Sequence, residues 1–405
     1  MVIKNKKNFN LKIAWINFLH LYQPANADDN RIIEATEKSY QRIVRALEEH
    51  PKIKFTLNIT GCLIIRWQET GQEEIIGRIR KLVKKGQVEL TGSAAYHPLL
   101  PLIPEEEAIR QIKENEKILE KNFKVKPKGF FLPEMAYNAK VSKIVKKLNY
   151  QWIIIDEIAC HGSLSSANLE RVYKDKNSGL KIIFRSRKKS SCYVPDLLNK
   201  ELADLKAKPG RESALFITAT DAELYGLRHE DPTAEFEKLL NNKNLVTKSI
   251  SEFIAGSDKN LELVKPVASS WESTESDLKR KKPFALWLDL GNGIQKRILK
   301  LSRLAYRTVA RHKDDENYIW ARWHLVRGLA SCTFWWASAH DFSHIYGPYA
   351  WSPDEVERGL RELIKSVRSL EDVTTRKTKI KAEELYLEIK KMIWSKHWRK
   401  YWKKP

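Results

Sequence analysis

The feature that most constrains this chain is a run of large apolar residues, Phe130-Phe131-Leu132, which stops abruptly at Pro133 and Glu134. A continuous apolar run of this kind, opened by Gly129, reads as a strand buried on both faces, as in a parallel sheet. Pro133 has no N–H to give to a ladder, so it closes the strand. Glu134 is thereby delivered to the C-terminal mouth of the strand, where open α/β sheets and α/β barrels keep their chemistry. Taken alone, the stretch fits equally well a loop glutamate with no special role.

The same grammar repeats along the chain. Leu11–Leu19, Lys54–Ile59, Gln87–Thr91, Trp152–Ile155, Ile182–Arg185 and Leu215–Ala219 read as further strands. Between them, helical periodicity is expected over Ile32–Glu49, Glu74–Lys85, Lys140–Leu148 and Thr233–Asn241. Another helix starts at Pro104-Glu105-Glu106-Glu107, with proline and acids in its first turn as the helix dipole favours, and runs to about Phe123. Strand, loop and helix in alternation describe an α/β fold with a parallel sheet or barrel. After about residue 265 the pattern changes, and Phe284–Trp398 reads as mostly helical with a dense apolar segment at Leu329–Trp336. The expected division is an α/β unit over 1–262 and an α-helical unit over 263–405.

Composition narrows the function classes. At 405 residues the chain is long enough for one large α/β domain and a smaller one. Lys and Arg outnumber Asp and Glu by 73 to 51, a formal charge of +22. The basic residues are spread over amphipathic segments, densest in Lys396-His397-Trp398-Arg399-Lys400-Tyr401-Trp402-Lys403-Lys404, which favours solvated helix faces over a specific nucleic-acid surface. Cys62, Cys160, Cys192 and Cys332 have no paired spacing, so neither a disulfide framework nor a zinc motif is implied. Ile13–Leu19 imitates a short signal peptide, but Asn17 breaks it and no small-residue cleavage site follows. It is read as the first strand. No segment is long enough to span a membrane, and a reducing, cytoplasmic location is expected.

Polar residues cluster at the expected strand ends: His20 after the first, Glu89 within the third with Tyr96 and His97 beyond it, Glu134, the pair Asp156-Glu157, then Asp221 and Glu223. In a closed barrel these ends converge on one rim. Two carboxylates across a rim suit glycoside hydrolysis, one ionised as nucleophile and one protonated as general acid. Carboxylates and histidines at strand ends also suit a metal, and the residue types alone leave both readings open.

Five short motifs carry a resemblance to glycoside hydrolase family 57. His20-Leu21-Tyr22-Gln23-Pro24 resembles the family's first region, and Gly86-Gln87-Val88-Glu89-Leu90-Thr91-Gly92-Ser93 with Tyr96-His97-Pro98 its second. Phe131-Leu132-Pro133-Glu134 is similar to the third, Asp221-Ala222-Glu223-Leu224-Tyr225-Gly226 to the fourth, and Trp335-Trp336-Ala337-Ser338-Ala339-His340-Asp341-Phe342 to the fifth. Ser269-Ser270-Trp271-Glu272 also resembles a Ser-Trp-Glu element found between the last two. The motifs occur in family order over residues 13–350.

The resemblance implies an incomplete (β/α)7 barrel followed by a C-terminal helical bundle that completes the cleft. It implies a retaining enzyme on α-1,4-linked glucans of the α-amylase type, with Glu134 as nucleophile and Asp221 as acid/base, and no metal or cofactor. A 4-α-glucanotransferase, a branching enzyme and a non-catalytic glucan-binding relative are the alternatives. The implied substrate-side residues are His20, Tyr22, Glu89, His97, Trp271, Trp336 and Asp341, and the implied partner is an α-glucan or malto-oligosaccharide. Tyr22 stands where the family has a second histidine beside the sugar; a phenol can donate a hydrogen bond but carries no positive charge near neutral pH.

Overall fold

The computed structural model describes residues 12–207, 214–257, 261–341 and 349–401. Among the described residues ten strands make two five-stranded sheets. They are β1 (Ile13–Leu21), β2 (Phe55–Ile59), β3 (Val88–Thr91), β4 (Gly129–Phe131), β5 (Trp152–Asp156), β6 (Tyr173–Asp175), β7 (Lys181–Arg185), β8 (Ala214–Asp221), β9 (Leu245–Thr247) and β10 (Glu262–Val264). The first sheet runs β3-β2-β1-β8 and is parallel throughout. Opposite β8, β1 pairs its first three residues with β9 and its last four with β2. The second sheet runs β10-β6-β7-β5-β4, parallel except between β6 and β7.

The two sheets meet at both ends. Gly92, just past β3, gives its N–H to the Gly129 carbonyl at 2.9 Å and accepts from Phe131 N at 2.9 Å, bridging to β4. A Cβ at Gly92 would lie 2.2 Å from the Tyr150 hydroxyl, and one at Gly129 would lie 2.0 Å from the Trp152 indole. Only glycine at these two positions leaves room for the two rings. At the other junction Ser186, just past β7, donates its N–H to Ile217 O of β8 at 3.0 Å.

The side chains alternate as a pleat requires. Ile16 and Phe18 of β1, Phe131 of β4, Trp152 and Ile154 of β5, Ile183 of β7, and Ile217 and Ala219 of β8 form one apolar cluster drawn from both sheets. Phe18 and Phe131 pack with tilted rings at 5.1 Å, and full burial of each such ring is worth about 1.5–3 kcal/mol. The opposite faces of β1 to β3 present Trp15, Leu19, Phe55, Leu57 and Leu90 to the surrounding helices.

Helices Gly293–Arg311, Tyr318–Gly328, Ser331–Trp335, Pro353–Arg368 and Arg376–Tyr401 follow and share a separate apolar cluster. Four sequence expectations change. The first strand is shifted two residues, so His20 lies within β1. The strand β10 carries the sheet to Val264, past the division expected at 262. An antiparallel pair, β11 (Ala337–Asp341) with β12 (Tyr349–Trp351), interrupts the region read as helical. The helix Val194–Ala207 and the short strands β6 and β9 were not legible. Among the described residues no helix is long and apolar enough to cross a membrane.

Candidate active site

β1 and β8 run in parallel register, and His20 pairs with Asp221 at their C-terminal ends. Glu134 follows β4 in a short 3-10 turn opened by Pro133. It has φ 60° and ψ 18°, and Met135 has φ 47°. Left-handed backbone is disfavoured for residues with a Cβ and persists only where surroundings enforce it. Here the turn is pinned to the segment 269–271: Tyr137 N donates to Ser269 O at 2.8 Å, Ser269 N to Tyr137 O at 3.2 Å, and Trp271 N to Glu134 O at 3.1 Å. That segment is fixed in turn by a buried ion cluster. Asp156 pairs with Arg185 at 2.8 Å and with Arg187 at 2.7 Å, and Arg187 Nη1 donates to Ser273 O at 2.6 Å.

The Glu134 side chain is 13% exposed. Its Oε1 accepts from Ser331 Oγ at 2.7 Å and its Oε2 from Trp271 Nε1 at 2.9 Å. His97 Nδ1 lies 3.0 Å from Ser331 Oγ and 3.6 Å from Glu134 Oε1. Since Ser331 donates to the carboxylate, His97 completes a line of donors by giving Nδ1–H to the hydroxyl. Burial pushes Glu134 up to about 8, helped by the charge of Asp221 and opposed by the bonds from Ser331 and Trp271.

Asp221 Oδ2 accepts from Arg228 Nη1 at 2.8 Å. Glu223, two residues on, is buried and accepts on Oε1 from Gln23 Nε2 at 2.8 Å and from the Tyr40 hydroxyl at 2.5 Å. Burial, with the Asp221 charge beside it, lifts Glu223 to about 7. Burial also raises Glu272, against the pull of Arg185 and Arg187. Glu134, Asp221, Glu223 and Glu272 line one cavity of about 440 Å³, with Arg228 as a cation among them.

One wall is a stack of rings. His97 packs on His20 at 4.8 Å and on Tyr22 at 4.1 Å, and His20 and Tyr22 are 5.7 Å apart, the three rings within about 25° of parallel. Burial holds His20 down to about 4 and His97 well below its usual range, so both rings are neutral. His20 Nδ1 bonds Asn58 Oδ1 at 2.9 Å, while Nε2 of His20 and of His97 have no partner among the described residues. A neutral ring whose Nδ1 carries the proton leaves Nε2 as an acceptor, a fit for a hydroxyl donor. The Tyr22 hydroxyl lies 3.4 Å from Cys332 Sγ.

Of the residues singled out in the sequence, His20, Tyr22, His97, Glu134, Asp221, Trp271 and Trp336 line this cavity together. Glu89 does not. It sits near the opposite end of the sheet, where its carboxylate accepts from Ser251 N and Oγ and from Thr56 Oγ1. It is the second residue of a strand whose C-terminal end faces the cavity, which is too early to reach the mouth. The Asp341 side chain lies outside the described residues. Asp156 binds Arg185 and Arg187 and caps Ile158 N, a supporting role.

Sequence reasoning missed Gln23, Arg228, Glu272, Ser331 and Cys332. Gln23, Glu272 and Arg228 had a signal: the first two sit inside quoted motifs, and Arg228 lies seven residues beyond Asp221 in the same loop. Ser331 and Cys332 had none. Among the described residues no group of three His, Cys, Asp or Glu side chains is gathered as for a metal ion.

Known proteins resemble this chain in sequence and in fold. The model for glycosyl hydrolase family 57 matches residues 2–260. An α-amylase of Pyrococcus horikoshii is 31% identical over 173 residues, 42% of this chain and 27% of that protein. A 4-α-glucanotransferase of Thermococcus kodakarensis is 28% identical over 219 residues, 52% of this chain and 33% of that one. The matches therefore span a third or less of these relatives' length. The crystal structure of a branching enzyme of the family-57 type from Pyrococcus horikoshii superposes with a TM-score of 0.67 at 15% identity, covering 93% of this chain and 94% of that chain. That likeness speaks to the fold. A family model that covers more than half of the 405 residues speaks to descent, and by it this chain belongs to glycosyl hydrolase family 57.

Proposed function

We propose that this chain is a retaining enzyme acting on α-1,4-linked glucans, with Glu134 as nucleophile and Asp221 as acid/base. The observation that carries the reading is the setting of Glu134. A strained backbone presents its carboxylate to a cavity shared with Asp221, and a donor from Ser331 and one from Trp271 hold its two oxygens.

The chemistry follows the two-step retaining scheme. Glu134 attacks the anomeric carbon while Asp221 protonates the leaving oxygen. Arg228 occupies Oδ2 of Asp221, which leaves Oδ1 for that oxygen. The neutral His20 and His97 rings offer Nε2 acceptors to sugar hydroxyls, and Trp271 and Trp336 offer apolar faces to the pyranose. Water then attacks the glycosyl-enzyme with Asp221 as base, giving hydrolysis; a sugar hydroxyl in its place gives transfer. The curated relatives include both an α-amylase and a 4-α-glucanotransferase, which keeps transfer as the second reading.

The same proposal takes β3-β2-β1-β8 and β7-β5-β4 as an incomplete seven-stranded barrel, joined at Gly92 and at Ser186. The two junction contacts and the shared interior cluster support this. The residues beyond β10, 265–405, act as a unit completing the cleft, supported by Trp271, Cys332, Trp335 and Trp336 in the cavity wall.

Incubation with maltoheptaose, followed by chromatography of the products, tests the function. Shorter sugars alone mean hydrolysis, and a ladder of both shorter and longer sugars means transfer. Either must vanish in Glu134→Gln. An unchanged substrate with the wild type overturns the α-1,4 reading.

A further inference from the structure

A second groove, of about 610 Å³, lies between the helices Glu105–Phe123 and Tyr318–Gly328, outside the catalytic cavity. Its floor holds Tyr96, 8% exposed, whose hydroxyl has no hydrogen-bond partner among the described residues. Glu114 also lines it without a hydrogen bond or ion pair, and burial raises its carboxyl above the usual range. Trp323 supplies an aromatic face. Its ring is backed by the guanidinium of Arg327, 3.4 Å from the ring centroid, and Arg327 is itself 8% exposed with an unpartnered Nε. Ile319 and Trp320 stand exposed on the same helix.

The charges decide the class of ligand. Arg322 is committed to Glu107, and Arg110 donates to the Tyr318 hydroxyl at 2.6 Å. What remains in the lining is Arg110, whose bond to a neutral phenol leaves its charge in place, with Lys113 and Lys117, against Glu106 and Glu114, a net of about one positive charge. Carboxylates interleaved with these cations keep the groove from selecting a polyanion. An aromatic face beside a free hydroxyl and a free carboxylate suits a neutral polyhydroxy chain, whose rings stack while its hydroxyls bond. The groove also adjoins the catalytic cavity: Tyr96 precedes His97, and Tyr96 and Val326 pack in one cluster against Tyr22.

We infer that this groove is a second binding site for α-glucan, holding a polymer beside the cleft without taking part in bond cleavage. The identity of the ligand rests on the proposed activity. Native gels cast with amylopectin test it, using Glu134→Gln protein so that the polymer is not cut. Trp323→Ala in that background should weaken retardation about tenfold, and Glu114→Gln, which changes little volume, about threefold. In the otherwise wild-type enzyme both variants should turn over maltoheptaose within about twofold of normal, which also reports that they fold. Retardation unchanged by both substitutions, or absent from the parent, overturns the groove. Turnover of maltoheptaose by the wild type judges the catalytic reading separately.

Discussion

Two glutamates of the same interior have opposite surroundings. Glu89 lies in regular strand backbone near the closed end of the sheet, with Ser251 and Thr56 filling its acceptor sites. Glu134 lies at the open end on left-handed backbone, in a cavity with Asp221, Glu223 and Glu272. Burial raises the pKa of both. Glu89 has one carboxylate, Glu252, acting on it, whereas Glu134 shares its cavity with Asp221, Glu223 and Glu272 and stands on a strained turn. Local rules are broken at one end and kept at the other, and chemistry is expected where they are broken.

The largest test of the contrast is activity. Glu134→Gln should lower kcat on maltoheptaose by about 10⁴-fold or more, as losing a nucleophile does. Glu89→Gln should leave kcat within about threefold, because the amide oxygen still accepts from Ser251 and Thr56. Equal losses would erase the distinction between the two ends.

Stability probes the scaffold behind Glu134. Asp156→Ala leaves Arg185 and Arg187 without their shared counter-charge in a buried setting. A broken buried pair costs about 3–5 kcal/mol, and denaturant titration should read a loss of that order. The same change frees the segment 269–273, so kcat should fall along with stability. A variant as stable as the wild type would remove the cluster from the account.

The sequence was informative where a single strand decided the outcome. His20, Glu134 and Asp221 were legible because an apolar run ends beside each, and parallel strands bring such ends together. Glu89 misled because its motif places it within a strand, and only the register with Thr56 puts it at the closed end. Ser331 was illegible for another reason. It reaches Glu134 across 197 residues of sequence, from a short helix whose apolar neighbours give no sign of a polar task. The β11–β12 pair was hidden because aromatic and small residues there suit helix and strand alike.

A smaller effect follows from the raised pKa of Glu134. An unfolded glutamate ionises near 4.5 and the folded one near 8. Below pH 4.5 both states hold the proton and there is no penalty. As pH rises from 4.5 towards 8, the unfolded chain loses its proton first and the folded state is progressively destabilised. Glu134→Gln removes that penalty, so at pH 7 the inactive variant should be more stable, by about 1–3 kcal/mol. Unfolding curves at pH 4 and pH 7 should show the gain only at the higher pH. A gain of equal size at both would trace it to packing.

The finest test separates the donors at the two ends. In the free enzyme Glu134 must be ionised to attack, so the acidic limb of kcat/KM should fall near pH 8, far above the ordinary carboxylate range. Ser331→Ala deletes a hydrogen bond that favours the ionised form, so the limb should move further up, by about one unit. Trp271→Phe, which keeps an aromatic ring and removes only the Nε1–H donor, should move it the same way. Ser251→Ala, which strips the equivalent donor from Glu89, should leave the limb in place while lowering stability by about 1–3 kcal/mol. If the limb answered to Ser251 and not to Ser331, Glu89 would be titrating in the rate, and the two ends of the sheet would have to exchange roles.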